Sequence, residues 1–159
     1  MSLNEAFTPE AGGQKTQPTL TAGTNASAER GRLKLLRITM SIVGLIFIFG
    51  IYPLTILWPS GWCWHPGQSD YLQMILGLYA TLGIFLLWAA RNPLENLSLI
   101  WFTVWSSVVH GGIMAVQSLG SPAKIGHLWG DVLALFLVAA ALAFVTPRGA
   151  QVRAGRVAA

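Results

Sequence analysis

The sequence predicts an all-α protein, an antiparallel bundle of four transmembrane helices with both termini in the cytoplasm. Three observations carry that expectation. Hydrophobic residues make up 53% of the 159 and charged residues only 10%, against roughly a quarter charged in ordinary globular domains. Between Ile38 and Pro147 the only charged residues are Asp70, Arg91, Glu95, Lys124 and Asp131, too few to keep a soluble surface of that size free of large apolar patches. The apolar residues also gather into four runs, 38–58, 71–90, 97–117 and 128–146. Each is close to the roughly 20 residues that a helix needs to cross a hydrocarbon core of about 30 Å. Helices are the form expected, because a backbone in lipid must satisfy its own hydrogen bonds and the runs lack the alternation of barrel strands.

The elements follow in order. Residues 1–32 are rich in Ser, Thr, Gly, Ala and Gln, carry Pro9 and Pro18, and show no apolar periodicity; they read as a disordered cytoplasmic tail. No early apolar region marks a secretory signal, so the first run reads as a retained span. The membrane domain extends over 33–147, followed by a basic cytoplasmic tail over 148–159. In the first span Pro53 is expected to kink the helix near its outer end, and Trp58-Pro59-Ser60-Gly61 ends it. Between the second and third spans, Asn92-Pro93-Leu94-Glu95 reads as a capping box: Asn92 caps, Pro93 takes the first helical position, and Glu95 reaches back to the cap. Arg91 and Glu95 are expected to pair. Ser121-Pro122 marks the short last loop, which makes the third and fourth helices antiparallel neighbours.

Orientation follows from the lysines and arginines. Lys15, Arg30, Arg32, Lys34, Arg37, Arg91, Arg148, Arg153 and Arg156 fall on one side of the four-span plan, and Lys124 alone on the other. That bias places both termini inside, on the cytoplasmic face of the membrane. Trp58, Trp62, Trp64 and Trp129 are expected in the outer interfacial belt, Trp88 and Trp101 in the inner one, and Trp105 deeper. The pI near 9.7 therefore reflects topology, and no nucleic-acid partner is expected. Cys63 is the single cysteine, which excludes an intrachain disulfide and reads as an inert thiol.

The candidate site is an intramembrane polar cluster. At 100° per residue, Thr103, Ser106, Ser107, His110, Met114 and Gln117 share one face of the third helix, with Phe102, Trp105, Val109, Ile113 and Val116 opposite and toward lipid. On the fourth helix His127, Gly130, Asp131, Ala134, Val138 and Ala141 form a small or polar face suited to close packing. An ionised aspartate deep in a membrane costs roughly 2.5–3.5 kcal/mol, so Asp131 needs a partner, a proton or water. Antiparallel neighbours would let His110 and Asp131 meet, while His127 and Asp131, at i and i+4, offer the best local geometry. His65 lies in Trp62-Cys63-Trp64-His65-Pro66-Gly67, an aromatic loop placed to fold over the bundle mouth. His110, His127 and His65 with Asp131 suit a divalent-metal or haem site or a proton relay. The bland alternatives are interhelical hydrogen bonding for His110, a headgroup neighbour for His127 and a plain loop residue for His65. No catalytic residue stands out: there is no HExxH, paired carboxylate or phosphate-binding glycine loop.

Ala90-Arg91-Asn92-Pro93, Asn96-Leu97-Ser98, Trp105-Ser106-Ser107-Val108-Val109-His110-Gly111 and Gly126-His127-Leu128-Trp129-Gly130-Asp131 resemble a domain-of-unknown-function family of small bacterial four-helix integral membrane proteins, over about residues 36–148. The resemblance implies the fold and no activity. The four-span plan is more distantly similar to DoxX-like proteins, without a shared motif. From the residues, the first functional expectation is a non-enzymatic accessory or assembly subunit of a membrane complex, with the bilayer and other membrane subunits or a second copy as partners. A histidine-ligated metal or haem redox protein, and a small proton-coupled transporter using Asp131 and His110, are the alternatives.

Overall fold

The computed structural model describes residues 19–64 and 69–147, which contain helices and no strand. The elements are α1 (Thr19–Leu45), a π turn (Ile46–Gly50), α2 (Ile51–Leu57), α3 (Pro59–Trp62), α4 (Asp70–Ala89), a 3-10 turn (Pro93–Asn96), α5 (Leu97–Leu119), a second 3-10 turn (Pro122–Lys124), α6 (Gly126–Trp129) and α7 (Asp131–Val145). Among the described residues four stretches are long and apolar enough to cross a membrane: Ser27–Leu57, Asp70–Ala89, Pro93–Leu119 and Pro122–Val145. This is the architecture of a multi-pass membrane protein.

The expected tail over 1–32 needs correction for its second part. Residues 19–32 belong to α1, while 1–18 and the basic tail over 148–159 lie outside the described residues. Hydropathy reports burial in lipid, whereas a helix requires only propensity, and Ala28, Glu29, Arg30, Arg32 and Lys34 are all good helix formers. The membrane helix that follows supplies the nucleus from which such residues extend.

Ahead of Pro53 the helix changes its winding. Pro53 has no N–H for the Phe49 carbonyl and its ring crowds that oxygen. Just before it the helix widens into the π turn, where the Ile51 N–H donates to the Ile46 carbonyl, and regular winding resumes at Ile51. At the second connection the capping box does not form. The Asn92 side chain caps no backbone N–H; its amide instead donates to Glu95 at 3.4 Å, and the Asn96 amide donates to the Asn92 carbonyl at 2.9 Å. The turn there is 3-10, with Glu95 beside the Asn92 side chain, and the expected Arg91–Glu95 ion pair is not formed.

α5 packs along α7, α1 packs on both α7 and α4, and α4 hardly meets α5. The α1–α4 contact is backbone-close: a Cβ on Gly44 would stand 2.8 Å from the Gly83 carbonyl oxygen, and one on Gly83 2.6 Å from that of Gly44. Small residues at such crossings let dispersion contacts replace the hydrophobic drive that lipid cannot supply. The apolar core (Leu36, Met40, Val43, Phe47, Leu86, Ala89, Ile100, Val104, Ala139, Leu142 and Val145) fills the half of the bundle nearer the terminal end of α1 and α7. Phe102, Trp105, Val109, Ile113 and Val116 are exposed, as the α5 face analysis expects. In α7 the buried ridge is Asp131, Val132, Leu135, Ala139, Leu142 and Val145. The expected ridge through Ala134, Val138 and Ala141 is displaced, because Gly130 (φ −93°, ψ −108°) breaks the helix between α6 and α7 and resets the phase.

Arg32 closes the terminal end. Its guanidinium donates to the carbonyls of Phe144 at 2.9 Å, Val145 at 3.3 Å and Thr146 at 3.4 Å. These belong to the last turn of α7, whose carbonyls have no helical partner and carry the negative end of the helix dipole. Arg32→Gln is expected to lower stability by about 1 kcal/mol, and Lys34→Gln, exposed and away from these carbonyls, to change it far less. Thermal denaturation in detergent compares the two.

Candidate functional site

The distal end, opposite the termini, is built by two glycines. α3 lies against α6, and a Cβ on Gly126 would meet the Ser60 carbonyl at 2.5 Å, while one on Gly130 would overlap the Gly61 carbonyl. Only residues without a side chain allow the two backbones this close. The approach brings the segment after α3 over the top of α7, and Trp64 turns inward from it.

Asp131 is the centre of the cluster. It is 7% exposed, and His127 3%. The Trp64 Nε1–H donates to Asp131 Oδ2 at 2.9 Å, and His127 Nδ1 stands 3.0 Å from the same oxygen. With the imidazole proton on Nδ1 both contacts are hydrogen bonds to one acceptor. The Trp64 and His127 rings also stack, 4.3 Å between centroids and 27° apart, and the Lys124 ammonium lies 5.2 Å from the centre of the Trp64 ring. Loop, short helix and long helix are thereby tied by four side chains. Bonds to a carboxylate are the stronger kind, and burial strengthens them further.

The other carboxylate oxygen, Asp131 Oδ1, is buried and has no hydrogen-bond partner. The Tyr79 and His110 rings are 6.0 Å apart, and Tyr79 meets Phe47 edge-on at 5.0 Å. Both Tyr79 and His110 are half-buried.

Of the residues expected in the cluster, the structure joins His127 and Asp131 directly. His110 makes no hydrogen bond to Asp131 and instead lies by the Tyr79 ring of α4. Ser107 is buried, Ser106 half-buried and Gln117 exposed, and the Ser106 hydroxyl is spent on the Thr103 carbonyl at 3.2 Å. His65 lies outside the described residues. Among the described residues no three His, Cys, Asp or Glu side chains converge as a metal site. Trp64 was expected in an interfacial belt, and Tyr79 and Lys124 in no site. Of the expected aromatic loop, Trp64 is the described residue that reaches Asp131, and Tyr79 carries the aromatic hydroxyl that lies in the interior of the second apolar run, a turn and more from Tyr71 at its start.

A family model described as a family of unknown function, DUF6632, matches residues 30–157. The chain belongs to that family, which covers the whole membrane bundle. No curated protein matches the chain, and no solved structure does, so the plan-level likeness to DoxX-like proteins finds no support there.

The glycine contacts give a paired prediction. Gly130→Ala must push α3 off α6 and is expected to destabilise by about 2 kcal/mol or more. Gly112→Ala, with nothing within 4 Å of its Cβ, is expected to be neutral or to gain roughly 0.5–1 kcal/mol from helix propensity. Melting temperatures of the two variants measured side by side decide it.

Proposed function

We propose that the protein is a non-enzymatic accessory or assembly subunit of a larger membrane complex, set in the bacterial cytoplasmic membrane with both termini inside. The observation that carries this reading is the one-sided packing of α4. Of an 18-residue apolar stretch of the second span only 17% is buried within the protein, against 39% of the corresponding stretch of the fourth. Tyr71, Met74, Leu78, Phe85 and Trp88 are all exposed large hydrophobics, and with Thr81 they recur at alternating spacings of three and four. That spacing forms the seam by which one helix packs knobs into the holes of another. Lipid tolerates such a face, and a partner helix from another subunit or a second copy fits it. The distal polar groups point the same way. Trp64, His127 and one oxygen of Asp131 satisfy each other, an arrangement suited to holding a loop and lacking a nucleophile paired with a base.

Two outcomes are expected. Extracted in mild detergent, the protein copurifies with a stoichiometric membrane partner or as a stable oligomer. Met74→Ala, Leu78→Ala and Phe85→Ala together release that partner without lowering the melting temperature of the remaining protein. An isolated monomer with an intrinsic enzymatic activity would refute the reading. For topology, Cys63 is the natural single cysteine and is half-buried at the distal end. A membrane-impermeant maleimide should label it in intact cells, and labelling confined to inside-out vesicles would reverse the orientation.

A further inference from the structure

A cavity of about 370 Å³ lies between the end of the first span and the start of the second. Tyr52, Thr55 and Ile56 line it from α2, Cys63 from just beyond α3, and Leu72, Gln73 and Leu76 from the first two turns of α4. α2 ends at Leu57 and α4 begins at Asp70, so the cavity sits where these spans meet the distal boundary of the membrane. Tyr52, Ile56 and Gln73 are exposed, which leaves its edge open. The lining is mixed. Ile56, Leu72 and Leu76 give apolar walls, and no charged side chain lines it. The Thr55 hydroxyl is spent on the Tyr52 carbonyl at 2.7 Å. The Tyr52 hydroxyl, the Gln73 amide and the Cys63 thiol are committed to no partner among the described residues, and each carries a hydrogen that it can donate.

We propose that this cavity binds the head of a neutral amphiphile bearing a carbonyl, with the Gln73 amide and the Tyr52 hydroxyl donating to that oxygen. Ile56, Leu72 and Leu76 pack on the first carbons of the attached chain. Three limits select the class. An ionic head would give up water in a site that offers no counter-charge. A wholly apolar molecule would cover the donors and leave them unbonded, at the cost of their desolvation. The volume, about a dozen water-sized units, admits the head and upper part of a single chain and excludes a whole two-chain lipid. The carbonyl has two sources: the ester of a phospholipid whose headgroup stays in water, or a free amphiphile. The site does not depend on the subunit reading, because one chain supplies all of its lining.

Tritiated 2-undecanone is the probe, equilibrated with the full-length protein in nanodiscs of ether-linked phosphatidylglycerol, which has no ester carbonyl to compete. Uptake by empty discs is subtracted. Saturable binding is expected, with undecane, which lacks the acceptor, and decanoate, which is charged, both displacing the probe far less than unlabelled 2-undecanone does. Gln73→Met keeps the length of the side chain without its amide and should weaken binding about fivefold, as for the loss of one hydrogen bond. Leu76→Trp fills the cavity and should abolish binding, whereas Ile84→Trp, on α4 outside the cavity, should leave it unchanged. Repeating the titration in ester-linked phosphatidylglycerol distinguishes the sources. Weaker probe binding there identifies the lipid carbonyl as occupant, and equal binding identifies a free amphiphile. Absence of saturable binding to the natural protein, equal displacement by undecane or decanoate, undiminished binding by Gln73→Met or Leu76→Trp, or equal loss in Ile84→Trp would each overturn the proposal.

Discussion

The carboxylate of Asp131 is the constraint around which the distal half is arranged. A charged or strongly polar group at the head of a transmembrane helix must be given partners from within the protein. The chain provides them by an indirect route. Gly126 and Gly130 let α3 sit on α6, that contact delivers Trp64 to the top of α7, and Trp64 and His127 then share one carboxylate oxygen. Without the glycines the loop would stand off, and Asp131 would keep only the histidine one turn before it.

The two ends of the bundle solve the same problem with different chemistry. At the terminal end the exposed carbonyls of α7 are met by the Arg32 guanidinium from α1, above a core of aliphatic residues. At the distal end the first turn of α7 begins with an acid, which also suits the positive end of the helix dipole. α7 is therefore anchored at both ends by side chains from other elements. α4 has neither anchor and is packed on one side, which makes it the element best placed to meet something outside the chain.

Most of the fold was legible in the sequence because lipid imposes a coarse rule. Four apolar runs of helical length correspond one to one with the four observed spans, and the second and third agree in their limits to within a few residues. The lipid-facing set on α5 followed from its 100° periodicity, and the His127–Asp131 pair followed from i, i+4 spacing. What was missed depends on local backbone events with no hydropathy signature. The break at Gly130 rotated the buried face of α7 away from Ala134 and Ala141. The 3-10 turn at Pro93–Asn96 replaced a capping box, and α1 extends back over residues 19–32, where Arg32 is tied to the end of α7. Trp64 was assigned to a belt because its type favours interfaces; only the α3–α6 approach, set by two glycines far apart in sequence, brings it to Asp131.

The account turns on the Trp64–Asp131 bond holding the loop to the last helix. A double-mutant cycle with Trp64→Phe and Asp131→Ala, read as unfolding free energy in detergent, tests it most directly. The structure predicts a coupling of about 1–3 kcal/mol, as for other hydrogen bonds to buried carboxylates. Strictly additive losses would mean that the two residues do not act on each other, and would contradict the tie on which the distal architecture rests.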